Sequence, residues 1–275
     1  MLSTLFLDLH NFHDKQHFIS VLSPILSTYN TQIQTITPDK FIRNKNECLL
    51  ICDIPSHLKI YQNNGFFCIG YAPSLDFLPV SYCFQDVTSL TYSYFTTILS
   101  RYKKEPLSIL DTSRLHIQEL SEQNLADLYK IYQQPDMSDF ITDAKENYNS
   151  FYQKKCAYIK QIYPFYDYGI WGIFLKDSTT LIGECGIQSI MLEQKEEIEI
   201  GYLLSKNYQK KGYGTEMVTA ILQYAKKQFS FSRIIARIAP ENKASISLAT
   251  KCGMTYEKTI YEQQNPKEIY VFHNP

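Results

Sequence analysis

A short glycine-containing segment, residues 209–215, has the composition of an anion-binding loop. Gly212 and Gly214 have no Cβ, so a phosphate group can approach the backbone closely there. If a helix begins at this segment, its first backbone N–H groups have no partner inside the helix, and the helix dipole adds partial positive charge. The spacing Q-x-x-G-x-G matches neither the P-loop nor the dinucleotide fingerprint. The segment predicts a phosphate site, although two glycines are also typical of an ordinary strand-to-helix turn.

The residues around this loop have the periodicity of elements that would hold it in place. An apolar run over residues 198–204 predicts a strand before the loop, and the pattern over residues 216–228 predicts a helix after it. Residues 233–240 predict a second strand, and residues 245–251 predict a second helix that ends at Gly253. The chain therefore contains two successive turns from a strand into a helix.

These two turns resemble the acetyl-CoA motifs of the GCN5-related N-acetyltransferase (GNAT) superfamily, in the branch that acetylates ribosomal-protein N-termini and related amines. The first motif is [Q/R]-x-x-G-x-[G/A], and the second is N-x-x-S, an apolar helix and G-[F/M]. The matching residues are Gln209, Gly212, Gly214, Asn242, Ser245, Gly253 and Met254. The resemblance covers about residues 108–275. It implies an α/β (α+β) fold with a mixed central sheet, and an enzyme that uses acetyl-CoA as co-substrate and needs no metal.

The resemblance also implies where the cofactor binds. The pyrophosphate would lie on the loop, the pantetheine arm along residues 200–204, and an amide of that arm on Asn242. The predicted cofactor-binding residues are Tyr202, Leu203, Leu204, Gln209, Lys210, Lys211, Gly212, Tyr213, Gly214, Thr215, Asn242 and Ser245. Two alternatives stay open: Lys210 and Lys211 are equally well explained as solvated loop lysines, and Asn242 as a helix N-cap.

Acetyl transfer to an amine needs a group that removes the ammonium proton, because the lone pair is the nucleophile. Glu199, before the apolar-Gly-Tyr triplet typical of this branch, is the first candidate, and Glu184 on the preceding strand is the second. Either carboxylate is also explained as a structural ion pair, and a water chain is a third route. Many members place a tyrosine in the second helix to protonate the leaving thiolate; Ala249 stands there, which favours Ser245, a water or direct loss of thiolate.

The N-terminal part of the chain has a different pattern. Short apolar runs alternate with helical patterns in a β-α-β order, which predicts a parallel, Rossmann-like sheet. A polar segment with a breaker at Pro106 suits a linker, so we predict two domains, residues 1–106 and 107–275.

This first domain faintly resembles haloacid-dehalogenase-type (HAD) phosphohydrolases. Asp8 and Asp53 end strand-like runs, but His10 stands where the second acid of the D-x-D motif is needed. One carboxylate at each place is a poor set of ligands for Mg²⁺. We therefore interpret it as a degenerate domain for packing, dimerisation or substrate gating, while convergence of Asp8 and Asp53 in one cleft would favour a bifunctional enzyme.

Composition restricts the partners. The net charge of −1 argues against a broad nucleic-acid-binding surface, and no run reaches transmembrane length. The seven cysteines lack metal-site spacing and suit reduced thiols in a cytoplasmic protein. The acceptor stays open between a protein N-terminus, a small amine, an aminoglycoside and an aminoacyl-tRNA, and a homodimer is compatible with the sequence.

The same motifs support two functions. The first is transfer of the acetyl group to a primary amine by direct attack in a ternary complex. The second is a non-catalytic acyl-CoA-binding sensor that keeps the phosphate loop but has lost its acceptor site. An open acceptor cleft favours the enzyme, and a plugged cleft favours the sensor.

Overall fold

A computed structural model describes residues 1–40, 42, 45–74, 77–229, 231–262 and 264–273. The chain divides into two compact units, Met1–Glu105 and Pro106–Pro275. Within the described residues, no helix combines the length and the apolar character that crossing a membrane requires.

The first unit is built on five parallel strands in the order β2-β1-β3-β4-β5. The strands are β1 (Thr4–Asp8), β2 (Gln32–Thr35), β3 (Cys48–Cys52), β4 (Cys68–Tyr71) and β5 (Cys83–Phe84). The α-helices are α1 (Phe12–Ser27), α2 (Pro55–Asn63) and α3 (Tyr92–Lys103), and one 3-10 turn spans Val87–Ser89. β3 is buried throughout its length, as expected of a central parallel strand covered on both faces. The parallel sheet predicted for this part of the chain is confirmed.

The second unit contains an eight-stranded sheet in the order β12-β13-β11-β10-β9-β8-β7-β6. Its strands are β6 (Ser108–Asp111), β7 (Leu115–Gln118), β8 (Ile170–Leu175), β9 (Leu181–Leu192), β10 (Lys195–Leu204), β11 (Arg233–Ile238), β12 (Thr255–Glu262) and β13 (Asn265–His273). Its α-helices are α4 (Leu125–Tyr132), α5 (Tyr148–Tyr166), α6 (Tyr213–Phe229) and α7 (Lys243–Lys251). Short 3-10 turns span Glu122–Asn124, Met137–Asp139, Thr142–Lys145 and Lys206–Tyr208. The mixed sheet predicted for this fold class is confirmed.

One parallel contact interrupts this otherwise antiparallel sheet. β10 pairs with β9 over its whole length, from Lys195–Leu192 to Leu204–Gly183. Its ladder with the parallel strand β11 consists of Glu199 and Ile235 alone. Across the described residues, the edge of residues 200–204 that faces β11 therefore has no paired strand.

Helices cover both faces of this sheet. Successive side chains of a strand point to opposite sides, so neighbouring residues of β10 contact different helices. Leu203 packs with Leu128 of α4 and Phe151 of α5. Leu204, the next residue of β10, belongs to the core that includes Met217 of α6. The open edge of β10 thus lies between two buried layers that fix its position.

Candidate active site

The loop that precedes α6 presents a row of free backbone donors. α6 begins at Tyr213, and the first bond in its helical pattern runs from the Glu216 N–H to the Gly212 carbonyl, at 3.1 Å. The backbone N–H groups of residues 210–215 donate no hydrogen bond to any residue that the structure describes. Lys210 and Gly212 have positive φ angles of 59° and 86°, which turn consecutive N–H groups toward one side. Such a nest at a helix N-terminus binds anions.

A partly buried carboxylate fixes the start of α6 from behind. The Glu216 carboxylate accepts hydrogen bonds from the Thr112 hydroxyl at 2.6 Å, the Ser113 hydroxyl at 2.9 Å and the Arg114 backbone N–H at 3.0 Å. The Arg114 side chain donates to it at 2.7 Å and 2.6 Å. Partial burial opposes ionisation, but these hydrogen bonds outweigh it and hold the pKa of Glu216 at about 2. The turn between β6 and β7 is therefore tied to the first turn of α6.

Arg114 extends this connection to the loop. Its guanidinium donates to the Lys211 carbonyl at 3.1 Å and lies over the Tyr213 ring, 4.2 Å from the ring centroid. A Cβ on Gly212 would lie 3.2 Å from the same guanidinium. Arg114 was not predicted from the sequence, because it is 97 residues from Lys211 along the chain. Its contacts keep the loop in the conformation that exposes the free N–H groups.

The side of α7 is joined to the open strand β10. The Tyr202 hydroxyl donates to the Ser245 carbonyl at 3.1 Å. The Asn242 side chain accepts from the Ser245 N–H at 3.0 Å, so Asn242 acts as the N-cap of α7. The Gln209 side chain donates to the Leu204 carbonyl at 2.9 Å, which links the loop to the end of the strand. The structure thus brings the predicted residues of β10, the loop and the start of α7 together around one gap.

The two lysines of the loop are next to this backbone nest in the sequence. Lys210 and Lys211 are both exposed. The Lys211 ammonium lies 5.7 Å from the centroid of the Tyr208 ring. Neither forms an ion pair with a described residue, so both are available to an anionic ligand or to solvent.

A cavity of about 480 Å³ adjoins β10 on the side of α4 and α5. Gly201, Tyr202 and Leu203 of the open strand contribute to its lining. An apolar wall is formed by Tyr132, Phe151, Tyr158, Ile141 and Ile170. The cavity is open beside the strand that the sequence predicts to bind the pantetheine arm.

Glu184 lies in this cavity within a compact polar cluster. Its carboxylate accepts from the Lys155 ammonium at 2.8 Å and 3.0 Å and from the Tyr132 hydroxyl. The Lys155 ammonium is also 3.3 Å from the Tyr132 hydroxyl oxygen. Burial raises the pKa of the neighbouring Tyr158, so that phenol stays neutral near pH 7. Glu184 is thus a carboxylate within reach of a molecule in the cavity.

Glu199 has a different environment. The Arg237 guanidinium donates to its carboxylate at 2.7 Å and 3.0 Å, and the Gln188 amide donates at 3.0 Å. Arg237 also binds Glu262 at 2.5 Å, and its bonds to Glu199 are the largest cause of the raised pKa of Arg237. Glu199 is not among the residues that line the cavity, although Gln188 is. Of the two predicted proton acceptors, the geometry favours Glu184 over Glu199.

In the first unit, Asp8 and Asp53 lie at the ends of neighbouring strands. Asp8 accepts from the His57 Nδ1 atom and the Tyr61 hydroxyl, both at 2.8 Å. Asp53 accepts from the His10 backbone N–H at 2.9 Å. No group of His, Cys, Asp and Glu among the described residues is suited to hold a metal ion.

Comparisons with known proteins match mainly the second unit of the chain. A family model described as an acetyltransferase (GNAT) domain matches residues 114–255. The uncharacterized protein YkkB of Bacillus subtilis is 28% identical over 162 residues, which are 58% of this chain and 93% of that protein. The ribosomal protein uS5-alanine N-acetyltransferase of Escherichia coli is 26% identical over 121 residues, 44% of this chain and 61% of that enzyme.

A solved structure shares the same fold. It is described as RimL, a ribosomal L7/L12 alpha-N-protein acetyltransferase in complex with coenzyme A. The TM-score is 0.52 at 15% identity, and the match covers 61% of this chain and 98% of that one.

Proposed function

The chain belongs to the GNAT acetyltransferase family, and from this premise we propose that the gap beside β10 holds acetyl-CoA while the adjoining cavity holds the acceptor amine. The family membership makes the protein an acetyl-CoA-dependent N-acetyltransferase. The observation that carries the site assignment is the continuity of three features. The unpaired edge of residues 200–204 adjoins the cavity and leads, at the end of β10, into the loop whose N–H groups at residues 210–215 are free.

The cofactor is held mainly by backbone in this proposal. The pyrophosphate accepts hydrogen bonds from the N–H groups of residues 210–215, with Lys210 and Lys211 adding positive charge. The pantetheine arm lies along residues 200–204, where alternate N–H and C=O groups of an antiparallel strand point away from β9 toward the gap. One of those N–H groups stabilises the thioester oxygen as it gains negative charge. Asn242 remains a predicted contact of the arm.

The chemical step is a direct attack in a ternary complex. Glu184 removes a proton from the bound ammonium, and the freed lone pair attacks the thioester carbon. The tetrahedral oxyanion collapses, the C–S bond breaks and the CoA thiolate leaves with the pair of electrons. The nitrogen releases its second proton as the amide forms, and Ser245, which follows the N-cap of α7, is the proposed relay: its hydroxyl protonates the thiolate and is reprotonated from the nitrogen. Lys155 and Tyr132 position the Glu184 carboxylate and do not themselves exchange protons with the amine.

The open cavity supports transfer over the acyl-CoA sensor. A sensor would need no space beyond the cofactor, whereas about 480 Å³ adjoins the strand here. Ligand pockets for small molecules start at about 300 Å³, so the volume suits an acceptor. The Glu184 carboxylate in its wall gives that acceptor a proton partner.

Calorimetric titration with acetyl-CoA tests the cofactor site. We expect the wild type to bind and Gly212→Ala to bind at least 10-fold more weakly, because a Cβ there strains a positive φ of 86° and approaches Arg114. Gly65→Ala is the matched control, since Gly65 also has a positive φ, 77°, but belongs to the first unit. Equal affinity in all three proteins, or no binding by the wild type, would contradict the assignment.

A further inference from the structure

The cavity contains an ion pair whose two partners both line the acceptor side. Lys155 and Glu184 are 15% and 7% exposed, and their charged atoms are 2.8 Å apart. Charges this buried are stable only when they are paired and hydrogen-bonded. Any acceptor that binds Glu184 through its ammonium group must therefore separate this pair or compete with it.

The charges that line the cavity restrict which acceptors can bind Glu184. Lys154, Lys155 and Glu184 are the charged residues among the described lining, and Lys154 is paired with Glu146 outside it. Glu184 is thus the one carboxylate that lines the described cavity, and it already has a cation. A polyamine or an aminoglycoside would bring several positive charges without counter-charges. An amine with a single charge would occupy Glu184 and leave Lys155 buried and unpaired.

Resting on the acetyl transfer proposed above, we infer that the acceptor is a zwitterion: an amine with a carboxylate on the neighbouring carbon, as in a free α-amino acid. Its ammonium group binds Glu184 and its carboxylate binds Lys155, so both buried charges stay paired. The amine nitrogen and the carboxyl carbon of an α-amino acid are about 2.5 Å apart by standard backbone geometry. That span is close to the 2.8 Å between Lys155 and Glu184, so one molecule can address both side chains.

The rest of the cavity accommodates the side chain of such an acceptor. Phe151, Tyr158, Ile141 and Ile170 give it an apolar wall, which suits an aromatic or aliphatic side chain.

The experiment compares each standard amino acid with its own carboxamide, alongside spermidine and an aminoglycoside. Acetylation is followed by mass spectrometry with saturating acetyl-CoA, and rates are expressed per concentration of the ammonium form, which is the form proposed to bind Glu184. Because a charge-assisted hydrogen bond is lost in the carboxamide, we expect the best amino acid to exceed its carboxamide roughly 10- to 100-fold in kcat/KM. The polyamine and the aminoglycoside should be poorer still.

Three variants test whether that preference depends on Lys155. Lys155→Met should bring the ratio of amino acid to carboxamide to about one, since the carboxylate partner is gone. Lys155→Arg should keep most of the preference, and Lys154→Met, at a lysine that is 58% exposed, should change it little. A preference that survives in Lys155→Met would overturn the inference.

The outcomes separate this inference from the transfer reaction. If carboxamides or spermidine are acetylated at least as fast as every amino acid, the inference of a zwitterionic acceptor is overturned, while the proposed N-acetyl transfer stands. Binding of acetyl-CoA with no acetylation of any amine overturns both. Acetylation of an amino acid with the Lys155-dependent preference supports both.

Discussion

Replacing Glu216 by glutamine is expected to destabilise the second unit by about 2–3 kcal/mol at pH 7. The pKa of Glu216 falls from 4.5 to about 2 because its hydrogen bonds outweigh the desolvation that opposes ionisation. At 1.36 kcal/mol for each pKa unit, the charged form contributes at most about 3 kcal/mol. The carboxylate is 15% exposed, and solvent screening reduces that value somewhat.

The pH dependence of this difference has a definite sign. A carboxyl group whose pKa is lowered by folding stabilises the folded state fully above its unfolded pKa. That stabilisation is lost as the pH falls from about 4.5 toward 2. Over this range the unfolded chain takes up a proton on Glu216, whereas the folded protein does so only at the lower end. The wild type should therefore lose its advantage over E216Q across that range.

The assay is urea unfolding followed by tryptophan fluorescence. Trp171 is the chain's single tryptophan and is fully buried in β8, so its signal reports the second unit alone. Glu193→Gln is the control, because Glu193 is 58% exposed in its ion pair with Lys258 and should matter by less than about 1 kcal/mol. A difference between wild type and E216Q below 1 kcal/mol, or one that stays constant from pH 7 to pH 3.5, would refute this reasoning.

Three further expectations concern the site. Arg114→Ala should raise the dissociation constant for acetyl-CoA by about 5- to 30-fold, because the loop loses its hydrogen bond at Lys211; calorimetry checks this, and unchanged affinity would contradict it. Glu184→Gln should lower kcat by about 10²- to 10⁴-fold and make the remaining rate rise with pH as the free amine forms; a pH profile like that of the wild type would exclude Glu184 as the base. Glu199→Gln should instead lower the urea midpoint, since it weakens a partly buried ion pair with Arg237, and keep kcat within about 10-fold.

The cofactor loop was accessible from sequence because its determinants are local. Gln209, Gly212 and Gly214 lie within six residues, and the strand and helix beside them have clear periodicity. The helix begins at Tyr213, three residues before the predicted start, since Gly214 does not prevent helix formation in the first turn. The site roles of these residues remain predictions, while their placement at a helix start follows from the observed fold.

Long-range partners were not accessible. Arg114 and Glu216 are 102 residues apart, and each alone is an ordinary charged residue. Glu199 was preferred to Glu184 as the proton acceptor because of a family pattern. In the structure, however, Gln188 lies opposite Glu199 in the sheet, and Arg237 donates a hydrogen bond to its carboxylate. Only the three-dimensional arrangement shows that Glu184 faces the cavity.

Several elements escaped the periodicity analysis for physical reasons. β2 is polar and mostly exposed, and β6 has only four residues, so neither shows the alternation of a buried strand. α5 continues through Pro164 to Tyr166, although a proline ordinarily ends a helix. The buried Tyr163, whose hydroxyl donates to the Ile170 carbonyl at 2.6 Å, holds that last turn against the sheet. Tertiary packing there outweighs the local preference of proline.

Amide hydrogen exchange with and without acetyl-CoA tests the central claim most directly. The claim is that the free N–H groups of residues 210–215 bind the pyrophosphate of the cofactor. It predicts that these amides, which lack an acceptor among the described residues, gain the largest protection when acetyl-CoA is added, with smaller protection along residues 200–204. Saturating acetyl-CoA that protects other segments and leaves residues 210–215 unchanged would contradict the account.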